Sequence, residues 1–165
     1  MRAPSARIVA AVMAIGLAGC SGGDSGPRPF GQPETQAINQ LIAEFIATYN
    51  AKDAAKLSRL FTEGGAVMPP NASTMRGTEN IREYYVRRFE LGASDVALDA
   101  QTIAGSGNLA FASGDYRLNM RPPEGTARRD RGKFIFILRF VNERWLLDQL
   151  MFSSDFGPEG GPVIG

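Results

Sequence analysis

The chain has 165 residues, of which 18 are Lys or Arg and 17 are Asp or Glu, giving a net charge of +1, with no histidine and one cysteine. That length supports one domain with one core, the balanced, interspersed charge gives no electrostatic footprint for nucleic acid or acidic substrates, and a lone cysteine excludes an internal disulfide. Without histidine the chain lacks imidazole bases and the commonest metal ligand, so neither metal nor cofactor is expected.

Arg2 and Arg7 form a short positive region, Ile8 to Leu17 is an apolar and small-residue run, and Leu17-Ala18-Gly19-Cys20 closes it. These are the three parts of an export signal, and the apolar run is too short to cross a hydrocarbon core of ~30 Å as a permanent helix. The closing four residues resemble the lipobox of bacterial lipoproteins. That resemblance implies removal of residues 1–19 and lipidation of Cys20, which anchors the chain to a membrane of the bacterial envelope, facing the periplasm. Ser21 after the cysteine resembles the pattern that sorts such proteins to the outer membrane. Residues 20–35, rich in Gly, Ser and Pro, read as a flexible tether, residues 36–156 as the folded domain, and residues 157–165 as a disordered tail.

The domain opens with Ile38, Leu41, Ile42, Phe45, Ile46 and Tyr49, one apolar stripe at helical spacing. Asp53 is suited to cap a second, shorter helix through Leu57, Leu60 and Phe61, which Gly64-Gly65 ends. Ala66 to Met68 reads as a short strand stopped by Pro69-Pro70. A third helix follows Gly77-Thr78, with Ile81, Tyr84, Tyr85 and Phe89 inward. The period then changes to two: strands are predicted over Val96–Ile103, Leu109–Met120, Arg128–Val141 and Arg144–Ser153, joined by tight turns. Helices followed by hairpins predict an α+β fold, three helices on one face of a twisted antiparallel sheet. Phe134, Phe136, Leu138 and Phe140 share one face of the third long strand. Ile135, Ile137 and Val141 make the other face too apolar for a wet surface, so a second copy of the chain, a homodimer, is expected there.

Phe45 to Asp53, Leu60-Phe61, Ala66-Val67-Met68-Pro69-Pro70, Arg76-Gly77 with Ile81-Arg82, and Gly132-Lys133-Phe134 with Trp145 resemble, in that order, the SnoaL-like and nuclear transport factor 2-like superfamily, and within it a ketosteroid isomerase homologue family. The resemblance implies a cystatin-like cone of three N-terminal helices against a curved sheet, an apolar cavity between them, and dimerisation through the outer sheet face. Ketosteroid isomerases place a tyrosine, a catalytic aspartate and a protonated aspartate where this chain has Phe45, Met68 or Pro69, and Phe136. None of these can move a proton or donate a hydrogen bond to an enolate.

Other constellations are weaker. Gly105 and Gly107 lack the context of a nucleotide fingerprint and read as a hairpin turn; Arg128, Arg129 and Arg131 with Asp130 read as a solvated strand end in preference to an anion patch. If Leu146, Leu150 and Phe152 point into the cone, period two carries Asp148 there too, with the hydroxyls of Tyr116 and Tyr49 nearby. Asp148 is then either a general base, its pKa raised by desolvation, with Tyr116 as its catalytic partner, or a structural acid paired with an arginine such as Arg82 or Arg117. Three functions stay open: a pocket for a small apolar or amphipathic molecule, lined by Phe45, Tyr49, Met68, Tyr84, Tyr116, Phe136 and Trp145; a lyase or isomerase using Asp148; or an envelope module binding protein partners.

Overall fold

The computed structural model describes residues 27–156; the run read as an export signal, Cys20 and residues 157–165 lie outside the described residues. The elements run α1 (Gln32–Asn50), α2 (Ala54–Ser58), β1 (Phe61–Met68), β2 (Met75–Arg76), α3 (Thr78–Glu90), β3 (Ala93–Ser106), β4 (Leu109–Met120), β5 (Arg128–Val141) and β6 (Arg144–Ser154). The helices pack on one curved six-stranded sheet of order β2-β1-β6-β5-β4-β3, the expected α+β architecture. Among the described residues no helix is long and apolar enough to cross a membrane.

The stripe of α1 is buried at Ile38, Leu41, Ile42, Phe45 and Tyr49. The helix starts earlier than its sequence pattern, inside the stretch read as tether. Pro33 pre-sets the first turn, the Glu34 carboxylate accepts from the Gly31 N–H at 2.8 Å, and Arg28 pairs with the other Glu34 oxygen at 2.9 Å. Asp53 caps α2 as expected, accepting from the Lys56 N–H at 2.8 Å. That helix stops at Ser58, however, and Phe61 opens a strand instead of closing a helix. Gly65 lies within β1 at an irregularity in its register with β6. A Cβ there would sit 2.9 Å from the Thr62 carbonyl oxygen, so this tight backbone excludes a side chain.

The sheet is mixed and not wholly antiparallel, because β1 returns alongside β6 in parallel. The remaining pairs are antiparallel hairpin partners. On β5 the inward residues Phe134, Phe136 and Leu138 are only 4%, 0% and 0% exposed. Ile135 and Ile137 are half-buried on the outer face, with Met151 exposed there opposite Ile135. Bulges set the curvature and the facing of side chains, and β3 has two against β4, the first between Ser94 and Ala97. β3 carries an extra Gln101 opposite Gly114, where a Cβ would lie 1.9 Å from the Asp99 carbonyl oxygen. In β6, Leu147 pairs with Leu138 and Gln149 with Ile137, which leaves Asp148 as the extra residue.

Candidate functional site

Between α1, α3 and the ends of β3 to β6 lies a cavity of about 40 Å³. α1 supplies Phe45 and Tyr49, α3 supplies Tyr84, Tyr85 and Arg88, and the strands supply Val96, Leu98, Tyr116, Leu118, Phe134, Phe136, Leu150 and Phe152. All four tyrosines of the chain are in this wall. The rings pack closely: Tyr49 meets Phe89 edge-on at 5.0 Å and Phe45 meets Phe136 at a tilt at 5.3 Å, while Tyr116 and Phe152 form a separate edge-on pair at 5.7 Å between centroids. The α1 wall is fixed to the sheet by Asn50, whose side-chain amide donates to the Val96 carbonyl at 3.0 Å and whose oxygen accepts from the Val96 N–H at 2.7 Å. Beside the cavity lies a recess of about 210 Å³, which shares Tyr84, Arg88 and Phe152 with it and adds Pro69, Pro70, Arg128, Asp130 and Ser154. The apolar chamber thus meets a polar one across three shared side chains.

The electrostatics follow from burial. Desolvation pushes the Tyr84 phenol up to about 12, with the nearby Arg88 charge pulling partly back. Burial likewise raises Tyr49 and, still more, Tyr85. Burial is also the main reason that Tyr116 is raised, and the negative charge of Asp130 adds to it. Tyr116 donates to Asp130 Oδ2 at 3.2 Å, and the Ser154 hydroxyl donates to Asp130 Oδ1 at 2.6 Å. For Arg88 burial works against the charge, but the surrounding Tyr84 and Tyr49 hydroxyls outweigh it and the net direction is upward. Its Nε donates to the Tyr49 hydroxyl at 3.3 Å, and its guanidinium carbon lies 5.3 Å from the Phe152 ring centroid. The Tyr84 hydroxyl is buried without a hydrogen-bond partner.

Phe45, Tyr49, Tyr84, Tyr116 and Phe136 therefore converge as the sequence predicts. Asp148 does not. The bulge turns it to the outer side, where it accepts from Thr62 Oγ1 at 3.1 Å and pairs with Arg139 Nε at 3.0 Å. Its structural alternative is right in kind, but the partner is neither Arg82 nor Arg117. It is also separated from Tyr116, whose acid is Asp130. Met68 pairs with the exposed Met151, whereas Val67 and Leu150 form the buried pair, so the pleat turns Met68 outward. Trp145 belongs to the opposite end of β6. It packs against Phe140 at 5.4 Å and Phe30 at 6.0 Å, roughly 23 Å along the strand from Phe152 at ~3.3 Å per residue.

Two residues escaped the sequence reading. Arg88 sits three and four positions after Tyr85 and Tyr84, inside the apolar stripe of α3, so a charge on a buried stripe was its signal. Asp130 lies two and four positions before Gly132 and Phe134 on the inward face of β5, not on a solvated end. Among the described residues no three His, Cys, Asp or Glu side chains gather as a metal site requires.

A SnoaL-like domain model matches residues 42–147, and the chain belongs to that family. No curated protein matches it. Among solved structures it is similar to a ketosteroid isomerase-like protein from Erwinia carotovora atroseptica, with 19% identity and a TM-score of 0.69 over 75% of this chain and 98% of that one. It is also similar to an NTF2-like protein with a cystatin-like fold from Novosphingobium aromaticivorans, with 19% identity and a TM-score of 0.64 over 78% and 86% of the two chains. A nuclear transport factor 2-like superfamily protein from Salmonella enterica gives 19% identity and a TM-score of 0.63 over 79% and 92%. At these identities the likeness is one of fold.

Proposed function

We propose that this SnoaL-like domain is a binding module that takes the apolar part of a small molecule into the cavity between α1, α3 and the sheet. The observation that carries the reading is the wall itself, in which both long helices and the four long strands each contribute apolar or aromatic side chains to one cavity. Its volume of about 40 Å³ restricts the buried part to a few carbon atoms, since an empty cavity of ~150 Å³ is what accommodates benzene. An isomerase chemistry lacks its groups here: Phe45 and Phe136 stand at two of the positions that would need them, and Asp148 is ion-paired on the outer face. The carboxylate beside the cavity, Asp130, already accepts from two hydroxyls.

Xenon-pressure NMR tests the reading, because xenon enters apolar cavities without needing a polar contact. The methyl resonances of Val96, Leu118 and Leu150 are expected to shift together, and a Leu118→Phe variant, which fills the space, is expected to lose the response. Xenon-insensitive methyls in the folded wild type would exclude a usable cavity.

The location of this module rests on Cys20 and the run before it. We propose lipid anchoring to the bacterial envelope, with the domain facing the periplasm. Cys20→Ala is expected to shift the protein from the membrane fraction to the soluble one, and unchanged fractionation would remove the anchor.

A further inference from the structure

We infer that the ligand is a small carboxylic acid, bound with its carboxylate at Arg88 and its short apolar body in the cavity. The inference rests on the binding reading above and adds the chemical class.

Its first support is the state of Arg88. Among the described residues Arg28, Arg82, Arg87, Arg131 and Arg139 each have an acid within ion-pairing distance. Arg88 has none; the other seven unpaired arginines of the described residues are exposed, whereas Arg88 is half-buried, and its hydrogen bond goes to the neutral Tyr49 hydroxyl. A part-buried cation without an acid is costly to the fold. That cost makes sense where an anion arrives from outside. A guanidinium offers two parallel N–H groups that match the two oxygens of a carboxylate.

The second support is the hydroxyl beside that guanidinium. Tyr84 lines both the cavity and the recess, and its hydroxyl is buried with no partner. A buried hydroxyl without a partner is rare enough to need a reason. A ligand oxygen held by Arg88 supplies one, and the raised phenol pKa of about 12 keeps Tyr84 a donor at neutral pH. The third support is the shape of the charge. Asp130 lines the same recess and is itself held by Tyr116 and Ser154. A fixed carboxylate there admits a singly charged head beside Arg88 and disfavours a dianion such as phosphate, which one guanidinium does not neutralise. Arg88, Tyr84 and Phe152 are the side chains shared by the two chambers, so the head and the body of one molecule fall on opposite sides of a single boundary.

The experiment compares isovalerate with isoamyl alcohol, which share a four-carbon branched body, and with inorganic phosphate, by NMR titration of the folded protein. Isovalerate is expected to bind at least about tenfold tighter than the alcohol, and phosphate is expected to produce no shifts in the cavity. Arg88→Gln is expected to abolish the preference by weakening acid binding far more than alcohol binding, and Tyr84→Phe to reduce acid binding a few-fold. Equal affinities for acid and alcohol, or an acid preference that survives in Arg88→Gln, overturn the assignment to Arg88 while the pocket reading stands. Failure of both compounds to shift any cavity resonance overturns both. If Arg88→Gln does not fold, the wild type decides by pH: acid affinity must fall as the ligand carboxyl is protonated below about pH 4 to 5, and pH-independent binding refutes the inference.

Discussion

Each end of the curved sheet holds an arginine against aromatic rings, and the two arginines are treated in opposite ways. At the end where β5 turns into β6, Arg28 lies 3.7 Å above the Phe140 ring and pairs with Glu34 at 2.9 Å, while Phe30 packs edge-on against Trp145. The segment before α1 is thereby fastened to the sheet, and its cation has an acid. At the other end Arg88 lies 5.3 Å from Phe152 and has a neutral tyrosine for a partner. The difference teaches that stacking on an aromatic ring does not by itself identify a functional arginine. What separates the two is whether the fold supplies the counter-charge.

The largest expected effect that sharpens this contrast is alkaline destabilisation confined to the Arg88 end, which holds all four tyrosines. Tyr84 is raised from 10.0 to about 12, so its neutral form is favoured in the folded state. That stabilisation is fully present below the unfolded-state pKa of ~10 and is lost as pH rises through the folded value. Between about pH 10 and about pH 12 the unfolded chain has released the proton while the folded one retains it, so unfolding is favoured by up to ~2 to 3 kcal/mol from this group alone. Tyr49, Tyr85 and Tyr116 shift in the same direction. Denaturant unfolding across that interval should show stability falling in the wild type and falling less steeply in Tyr84→Phe. Identical slopes for the two proteins would mean that Tyr84 is not held neutral by its surroundings.

How far the sequence reached depends on parity. Helix α1 and strand β5 were legible because one phase runs through each: Ile38 to Tyr49 keeps the helical stripe, and Phe134 to Leu138 alternates without interruption. Asp148 was misplaced by a single inserted residue. Counting back by twos from Phe152 and Leu150 is sound only until the strand bulges, and nothing in Leu146-Leu147-Asp148-Gln149 announces the bulge. The parallel pairing of β1 with β6 was hidden for a related reason: it joins the first strand of the sheet to the last, a contact with no local signature. Arg88 and Asp130 were within reach, because both keep the phase of their own elements, and they were passed over because charged residues near an element's end are ordinarily solvated.

The smaller and more discriminating test replaces each arginine with methionine, which keeps an unbranched apolar stem and removes the charge. Arg28→Met leaves Glu34 beside Phe140 and Trp145 without its cation and weakens the fastening of the α1 entry, so a loss of about 1 kcal/mol is expected. Arg88→Met removes a part-buried charge that has no acid, at the cost of one long hydrogen bond to Tyr49 and a distant ring contact. Relief of that desolvation is expected to exceed the loss, giving a gain of about 1 kcal/mol. The opposite signs are the substance of the comparison. A residue kept at a net cost to stability is the pattern of a group retained for binding, whereas a residue whose removal weakens the fold needs no such reason. Denaturant midpoints measured at one pH, with unchanged slopes to show that the unfolded states match, decide it. If both substitutions destabilise to the same extent, the two ends of the sheet are clamped alike, and Arg88 is a second structural fastening.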